Sequence, residues 1–271
     1  MKTNFEKVKD FNNCFNHKVS QTEYFDVFSK DPKLVNLRLN LIKEEIEELK
    51  EAYRNDDLIE IIDALTDILY VVYGMCACFG INIDEAYNKY IRSMFTQDNI
   101  ELLDSLSTKT NYEKTVALCE HIGNMNLDKN NVLKDYLVHL KRTHFRTNLT
   151  SLLSSINSNF SQLELSCVDQ DFEQVVEYIL HILKDVYMFG VNIGLNLDDS
   201  YTIVHNSNMT KICATEELAN KTVLCYQEND KRYDSPAYRY GDFGYVVYNK
   251  NSGKILKSIE YTPADFEILL K

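Results

Sequence analysis

Tryptophan is absent from this chain, and proline occurs only three times and glycine eight times in 271 residues. So little punctuation leaves few places for the tight turns that an all-β chain needs, and points instead to long helices. Positive charge is also scarce: 29 Lys and Arg face 41 Asp and Glu, a net charge of −12. A broad nucleic-acid footprint needs clustered cations, so binding to a nucleic-acid polymer is excluded as the main role. Phosphates can still be bound locally where metal ions supply the positive charge. The seven cysteines (14, 76, 78, 119, 167, 213 and 225) contain no CxxC pair at zinc spacing, and their odd number and scatter fit reduced thiols. Cys76 and Cys78 form a CxC in an apolar helical run and read as core packing. No charged, apolar and cleavable leader opens the chain. The longest apolar stretch, Ile68 to Gly80, is too short to cross a bilayer. A cytoplasmic protein without a membrane partner is the expectation.

What is present is a hydrophobic content of 45%, enough for a real core, and helical periodicity from residue 4 to about 205. The tail differs. "YGDFGYVVYNKNSGKILKSIEY" (240–261) alternates apolar and polar residues around Asn251-Ser252-Gly253, which predicts a β-hairpin. The helical part also repeats itself. "GINIDEAYNKYIRSM" from Gly80 lies over "GLNLDDSYTIVHNSN" from Gly194, and the same spacing of 114 sets "DLIEIIDALTDILYVVY" (57–73) over "DFEQVVEYILHILKDVY" (171–187) without a gap. Farther upstream "TNFEK" (3–7) matches "TNYEK" (110–114) at a spacing of 107. The predicted fold is mainly α: a tandem-repeat helical bundle with repeat 1 over 1–100, repeat 2 over 108–212, and an extension over 213–271 carrying the hairpin. A duplicated helical unit rebuilds a two-fold dimer within one chain, so the protein is a monomeric pseudo-dimer or a homodimer.

At about 100° per residue, Leu34, Leu37, Leu41, Ile42, Ile46 and Leu49 form one broad apolar arc. Glu45 falls inside the arc, Glu48 at its flank and Glu44 near its edge, whereas Lys43, Glu47 and Lys50 project the other way. The next helix is apolar nearly all round from Leu58 to Val72, apart from Glu60, Asp63 and Asp67 in a stripe about 60° wide. Burying unpaired carboxylates costs several kcal/mol, so a counter-charge must meet them. Arg38, Lys43, Lys50 and Arg54 are one source, but six acids on two adjacent helices outnumber them. Hard divalent cations are the other, and an all-oxygen donor set without His suits Mg²⁺, or Mn²⁺, rather than zinc or iron.

Glu44-Glu45-x-x-Glu48, a short loop, Glu60-x-x-Asp63 and then Asp67 resemble the metal-binding pattern of the all-α nucleoside triphosphate pyrophosphohydrolases. These include MazG, the dimeric dUTPases and phosphoribosyl-ATP pyrophosphohydrolase. "RLNLIKEEIEELKEA", "DALTDILYVVYG", "VHNSNMTK" (204–211) and the "GKILKSIEY" ending look like the phosphoribosyl-ATP-pyrophosphohydrolase-like and MazG-like branch, and the resemblance covers nearly the whole chain. It implies Mg²⁺-dependent cleavage between the α- and β-phosphates of a nucleoside triphosphate, giving a monophosphate and pyrophosphate. The metal ligands would be drawn from Glu44, Glu45, Glu48, Glu60, Asp63 and Asp67, and Glu44, Glu45 or Glu48 would activate water. One departure stands out: some members carry ExxD directly before the apolar "ILY" run, where this chain has Ala64-Leu65-Thr66-Asp67. Alternatives are phosphoribosyl-ATP hydrolysis and a nucleotide-binding helical module that does not turn over.

The repeats differ at these positions in opposite senses. Glu44, Glu45, Glu48, Glu60, Asp63 and Asp67 correspond to Ser158, Asn159, Gln162, Gln174, Glu177 and His181, so one acid of six survives in repeat 2. Ser207, Asn208, Met209, Thr210 and Lys211 are intact in repeat 2, where repeat 1 has Ser93, Met94, Phe95, Thr96 and Gln97, and His205 faces Ile91. One composite site per chain is therefore expected, with carboxylates from repeat 1 and with Asn208, Lys211 and His205 from repeat 2, alongside Arg38, contacting phosphate or sugar. Lys211, a mobile point charge, is the natural phosphate cation.

Overall fold

The computed structural model describes residues 2–95, 100–123, 143–229 and 233–270, together with Leu133 and Tyr136. It is 68% helical, with eleven α-helices among the described residues. Helices α1 (Asn4–Cys14) and α2 (Val27–Lys30) precede a long helical hairpin of α3 (Pro32–Arg54) and α4 (Leu58–Phe79), and α5 (Ile83–Ser93) follows. Then come α6 (Ile100–Leu106), α7 (Asn111–His121), a second long hairpin of α8 (Thr143–Val168) and α9 (Phe172–Ile193), and α10 (Leu197–Met209). The chain ends with α11 (Glu216–Asn229), strands β1 (Pro236–Gly241) and β2 (Gly244–Asn249), and a 3-10 turn, Glu267–Leu270.

The same local chemistry starts and stops corresponding helices. Thr3 and Thr110 each form a capping box with the glutamate three residues on, Glu6 and Glu113. The Asp57 carboxylate accepts from the Glu60 amide at the start of α4, and Asp171 accepts from Gln174 at the start of α9. Gly80 and Gly194 end α4 and α9 in the left-handed region, at φ 74° and 75°.

Packing then exchanges the short helices. α4 is covered by α3, α1 and α10, whereas α9 is covered by α8, α7 and α5. Each long hairpin is thus completed by the helix that follows the other one. At the centre the hydroxyls of Tyr73 and Tyr187, residues 114 apart in the chain, meet at 2.9 Å. A hydrogen bond between corresponding residues marks a pseudo-two-fold axis, and Thr66 Oγ1 donating to Ser200 Oγ (2.9 Å) ties α4 to α10 nearby.

Three expectations need correction. The regular hairpin pairs Pro236 with Asn249 through Gly241 with Gly244, so its turn is Asp242-Phe243. Asn251-Ser252-Gly253 instead reverses the chain after β2, with a single bridge between Tyr248 and Ile255. Asp-Phe-Gly carries a weaker turn signature than Asn-Ser-Gly, but Gly244 at φ 141° supplies the backbone freedom. Lys50 is not on a free surface: its ammonium donates to Asn157 on α8 as well as to Glu47 (2.8 Å), because α8 packs against that side of α3. Finally, the helix that carries Ile68–Gly80 runs over Leu58–Phe79 and is long and apolar enough to cross a bilayer. Its most apolar window is 83% buried in the bundle, which accounts for its hydrophobicity by packing. Cys76 and Cys78 are fully buried in that helix, as core packing requires.

Gly80 gives a stability test. A β-carbon there would lie 1.9 Å from the Thr22 carbonyl oxygen at a positive φ, whereas one at Gly123, also at positive φ, meets nothing within 4 Å. Gly80→Ala should cost at least about 2 kcal/mol in urea unfolding, against about 1 kcal/mol for Gly123→Ala.

Candidate active site

On α3, Ile42, Ile46 and Leu49 are fully buried, which draws Glu45 to a half-buried position and leaves Glu44 and Glu48 exposed at its sides. On α4, Ile61, Ile62, Leu65 and Ile68 do the same for Asp63 and Asp67, while Glu60 stays exposed in the first turn. Like charges therefore face each other across the helical hairpin. Burial, then Asp67, Glu48 and Glu44, push the Glu45 carboxyl up to about 10. Burial and then Asp63 raise Asp67 to about 7, and burial followed by Glu60 and Glu48 raises Asp63 to about 6.

Three lysines distant in sequence answer this charge. Lys211, just beyond α10, lies within the field of Asp67 and Glu45; burial nevertheless pushes its ammonium down to about 8. Lys254 donates to both Glu44 carboxylate oxygens, at 2.6 and 2.7 Å. Burial is the largest single influence on Lys254 and would lower it, but the bond to Glu44 and the charge of Glu44, with Tyr233 and Glu45, together leave the group raised. Lys257 acts on Asp63 and Asp67. The SNMTK element divides its labour at helical spacing. Ser207 donates to Thr262 O (2.8 Å) and Tyr261 Oη (2.8 Å), and Thr210 Oγ1 accepts from the Thr262 amide (2.9 Å). These bonds pin the C-terminal strap that carries Lys254 and Lys257, while Asn208 and Lys211 turn inward.

The remaining sequence candidates lie apart from the carboxylates or beside them. His205 accepts or donates to Tyr70 Oη at Nδ1 (3.1 Å), and its charged neighbours are Lys7, Asp10 and Lys2. It orients Tyr70 and does not reach the carboxylates. Arg38 pairs with no carboxylate among the described residues. It is 4% exposed, and its Nη2 donates to Nδ1 of His17 (3.2 Å). Burial, with Arg38 and Arg239 alongside, pushes His17 down to about 3, so the ring is neutral. The Arg38 guanidinium lies directly against Gly74, where a β-carbon would come within 2.9 Å of Nη1. Thr96 and Gln97, the repeat 1 counterparts of Thr210 and Lys211, lie outside the described residues.

Arg38 and His17 open onto a cavity of about 110 Å³ whose other walls include Phe11, Asn12, Tyr70 and Asn208, with Glu45, Asp67 and Lys211 at one end. Asn208 hydrogen-bonds the Tyr70 hydroxyl, and Phe11 stands edge-on to Tyr70 at 5.5 Å. Asn12 Oδ1 and Arg38 Nε are buried without a hydrogen-bond partner. In the sequence, Lys254 and Lys257, with Tyr245 and Tyr261, read equally as covering a substrate or as a sheet edge packed on the bundle, and Asn12 and His17 carry no signal as site residues. The one readable signal concerned Arg38: Gly74 and Arg38 correspond to Met188 and Leu152, an apolar pair that packs together in repeat 2.

Among the described residues, no three acids converge as a closed cage around one point. The donor set still fits a hard divalent ion. Six carboxylates supply only oxygen, and burial and then their mutual repulsion raise the pKa values of three of them. Glu45, Asp63 and Asp67, with Glu44, Glu48 and Glu60 flanking, are the residues that would hold it.

Residues 8–94 match the family model of phosphoribosyl-ATP pyrophosphohydrolase, which takes in α3, α4 and the carboxylate set. The chain is also similar over 99% of its length to "Uncharacterized protein L479" of Acanthamoeba polyphaga mimivirus, with 32% identity over 273 residues covering 96% of that protein. No solved structure matches it. The matched domain is a pyrophosphohydrolase domain at the level of the family, and the chain belongs, through it, to the MazG-like all-α nucleoside triphosphate pyrophosphohydrolase superfamily.

Proposed function

We propose that the protein is a Mg²⁺-dependent nucleoside triphosphate pyrophosphohydrolase that yields a nucleoside monophosphate and pyrophosphate. The observation that carries this reading is that two carboxylates with raised pKa values, Glu45 and Asp67, and two lysines, Lys211 and Lys254, line a small cavity together with aromatic rings and with Arg38 and Asn12, which carry an unsatisfied donor and acceptor. At about 110 Å³ the cavity falls well short of the 300–1,000 Å³ usual for a whole ligand. It suits a planar ring alone, with Arg38 Nε donating and Asn12 Oδ1 accepting, and leaves the phosphates outside over the carboxylates and lysines.

A divalent ion bound there supplies Lewis-acid stabilisation of the phosphoryl oxygens. The protein's own groups do the rest. Lys211, Lys254 and Lys257 meet non-bridging phosphate oxygens, and their number matches the charge of a triphosphate tail better than that of a single phosphate. Water attacks the α-phosphorus, its proton passes to one of the carboxylates, and the α–β bridging oxygen leaves with pyrophosphate. Because α10 crosses to the other helical hairpin, this is one composite site per chain, with acids from repeat 1 and Asn208 and Lys211 from repeat 2. The family match favours phosphoribosyl-ATP as a second substrate reading, and removal of surplus or non-canonical nucleotides, such as deoxyuridine triphosphate, is the first.

Pyrophosphate release with Mg²⁺ across a panel of canonical and modified nucleoside triphosphates, deoxyuridine triphosphate and phosphoribosyl-ATP should reveal turnover of at least one nucleoside triphosphate; silence across the panel with Mg²⁺ binding intact would favour a binding module. Glu45, with its raised pKa, is protonated at neutral pH without metal. Glu45→Gln should therefore leave the metal-free melting temperature within about 2 °C, abolish the rise caused by Mg²⁺, and lower turnover roughly 100-fold or more. Lys211→Ala should lower kcat/KM by roughly 10- to 100-fold. Unchanged kinetics in that variant would sink the composite site.

A further inference from the structure

The sequence repeats one element that the proposed catalysis does not use. Lys2-Thr3-Asn4-Phe5-Glu6-Lys7 recurs as Lys109-Thr110-Asn111-Tyr112-Glu113-Lys114, with five of six residues identical. The fold explains most of it. The threonines and glutamates form the capping boxes of α1 and α7, and Phe5 and Tyr112 enter the core. Asn4 donates to Asp198 (2.6 Å) and Tyr187 (3.5 Å), and Asn111 donates to Asp84 (3.1 Å) and Tyr73 (2.7 Å), so both anchor to the tyrosine pair on the pseudo-two-fold axis. Lys7 and Lys114 are left over. Lys114 is 5% exposed and Lys7 half-buried, and neither forms an ion pair among the described residues. Lys7 donates to Thr202 (2.8 Å) and Asn4 Oδ1 (3.2 Å), and Lys114 to Asn111 Oδ1 (3.2 Å).

Both lysines line a cavity of about 620 Å³ that is built from α1, α5, α7 and α10 together. That is the volume of a ligand pocket. Asp84 and Asp198 lie on its walls beside Glu85 and Asp199; Asp84 accepts from Asn111 and Asp198 from Asn4 and Thr110, which leaves each carboxylate lone pairs to spare. Asn88, which corresponds to Thr202, also lines it, and Asn88 Oδ1 is buried without a partner. Two ammonium groups without ion-pair partners suit a phosphate, and carboxylates with free lone pairs suit a sugar diol.

We propose that this cavity is a second ligand site, separate from the carboxylate site, which binds a phosphorylated sugar or nucleotide with its phosphate on Lys7 and Lys114 and its hydroxyl groups on Asp84 and Asp198. Its ligand bridges both repeats. The site needs no divalent ion, so it is tested by calorimetric titration of the full chain in EDTA with ribose 5-phosphate, adenosine monophosphate and inorganic phosphate. Ribose 5-phosphate or the monophosphate should bind once per chain and more tightly than inorganic phosphate. Lys7→Met/Lys114→Met, which keeps the apolar stems, should weaken binding by about tenfold or more, and Asp67→Asn should leave it unchanged. Asn88→Asp, nearly isosteric, should weaken it too and stands in if the double variant does not fold. The proposal is overturned if neither sugar-bearing ligand binds, if phosphate alone binds as tightly as both, or if the lysine and Asn88 variants bind like the parent. Neither turnover nor metal enters the measurement, and because a monophosphate product could also sit on Lys211 at the carboxylate site, only binding that the lysine pair and Asn88 variants weaken, and that Lys211→Ala does not, is assigned to this cavity.

Discussion

The burial of like charges on two facing helices is the constraint around which this molecule is arranged. Glu45 on α3 and Asp67 on α4 are held at the edge of a hydrophobic core that leaves them little water, and uncompensated carboxylates in such a place cost several kcal/mol. No cation on their own hairpin serves them, since Arg38 turns to His17 and Lys50 to α8. Counter-charge has to be imported. Lys211 comes from the end of α10, and Lys254 and Lys257 come from a strap fixed to α10 through Ser207 and Thr210. The C-terminal extension, which looks in sequence like an addendum, is in this respect part of the charge balance of α3 and α4. That balance remains incomplete, as the raised carboxyl groups show, and an incomplete balance is what an acidic site needs if it is to take up a cation.

The exchange of α5 and α10 between the hairpins gives the opposite losses in the two repeats a simpler meaning. The acids of α3 and α4 work with the element at the end of α10. Their counterparts on α8 and α9 would work with the end of α5. On the proposed function, the chain has therefore kept one whole site and lost one whole site. Where the second would be, Asp185 accepts from Ser155 (2.6 Å) and Asn159 (2.9 Å) and pairs with Lys184 (3.1 Å). A closed polar network of this kind satisfies its own charge and has nothing left to offer a phosphate or a metal.

Periodicity and repetition carried the architecture in the sequence, because the apolar arcs of α3, α4, α8 and α9 are local patterns with one solution. The acids were legible for the same reason: Glu45, Asp63 and Asp67 interrupt apolar surfaces at helical spacing. Asn208 and Lys211 were legible through the comparison of the two repeats, but the rest of the site was not, because its members meet only through tertiary packing. Nothing local to Lys254 and Lys257 announces that a strap brings them to Glu44 and Asp67, and Asn12 and His17 acquire their role only when α1 docks on α4. The turn of the hairpin was misplaced because a strong turn signature, Asn251-Ser252-Gly253, outshone the one that the strands use. His205, whose place beside Asn208 and Lys211 in the sequence suggested substrate contact, meets in the fold the Tyr70 hydroxyl on the wall of the cavity.

Symmetry explains why the two kinds of site have had different histories. A site away from a two-fold axis exists twice in a duplicated chain, and either copy can be lost while the other works. A site on the axis exists once and is built by both copies, so both copies of its residues have to be kept. The carboxylate set and the SNMTK element behave in the first way, each surviving once. The Lys-Thr-Asn-aromatic-Glu-Lys element behaves in the second way, surviving twice, and it surrounds the axis marked by Tyr73 and Tyr187. Capping and core packing account for its Thr, Glu and aromatic positions, and such duties would tolerate other residues with the same propensities. The lysines are different. Burial pushes both ammonium groups down although Asp198 acts on each, with Asp199 on Lys7 and Asp84 on Lys114; burying such charges works against stability, and an anion shared across the axis offsets that in both copies at once.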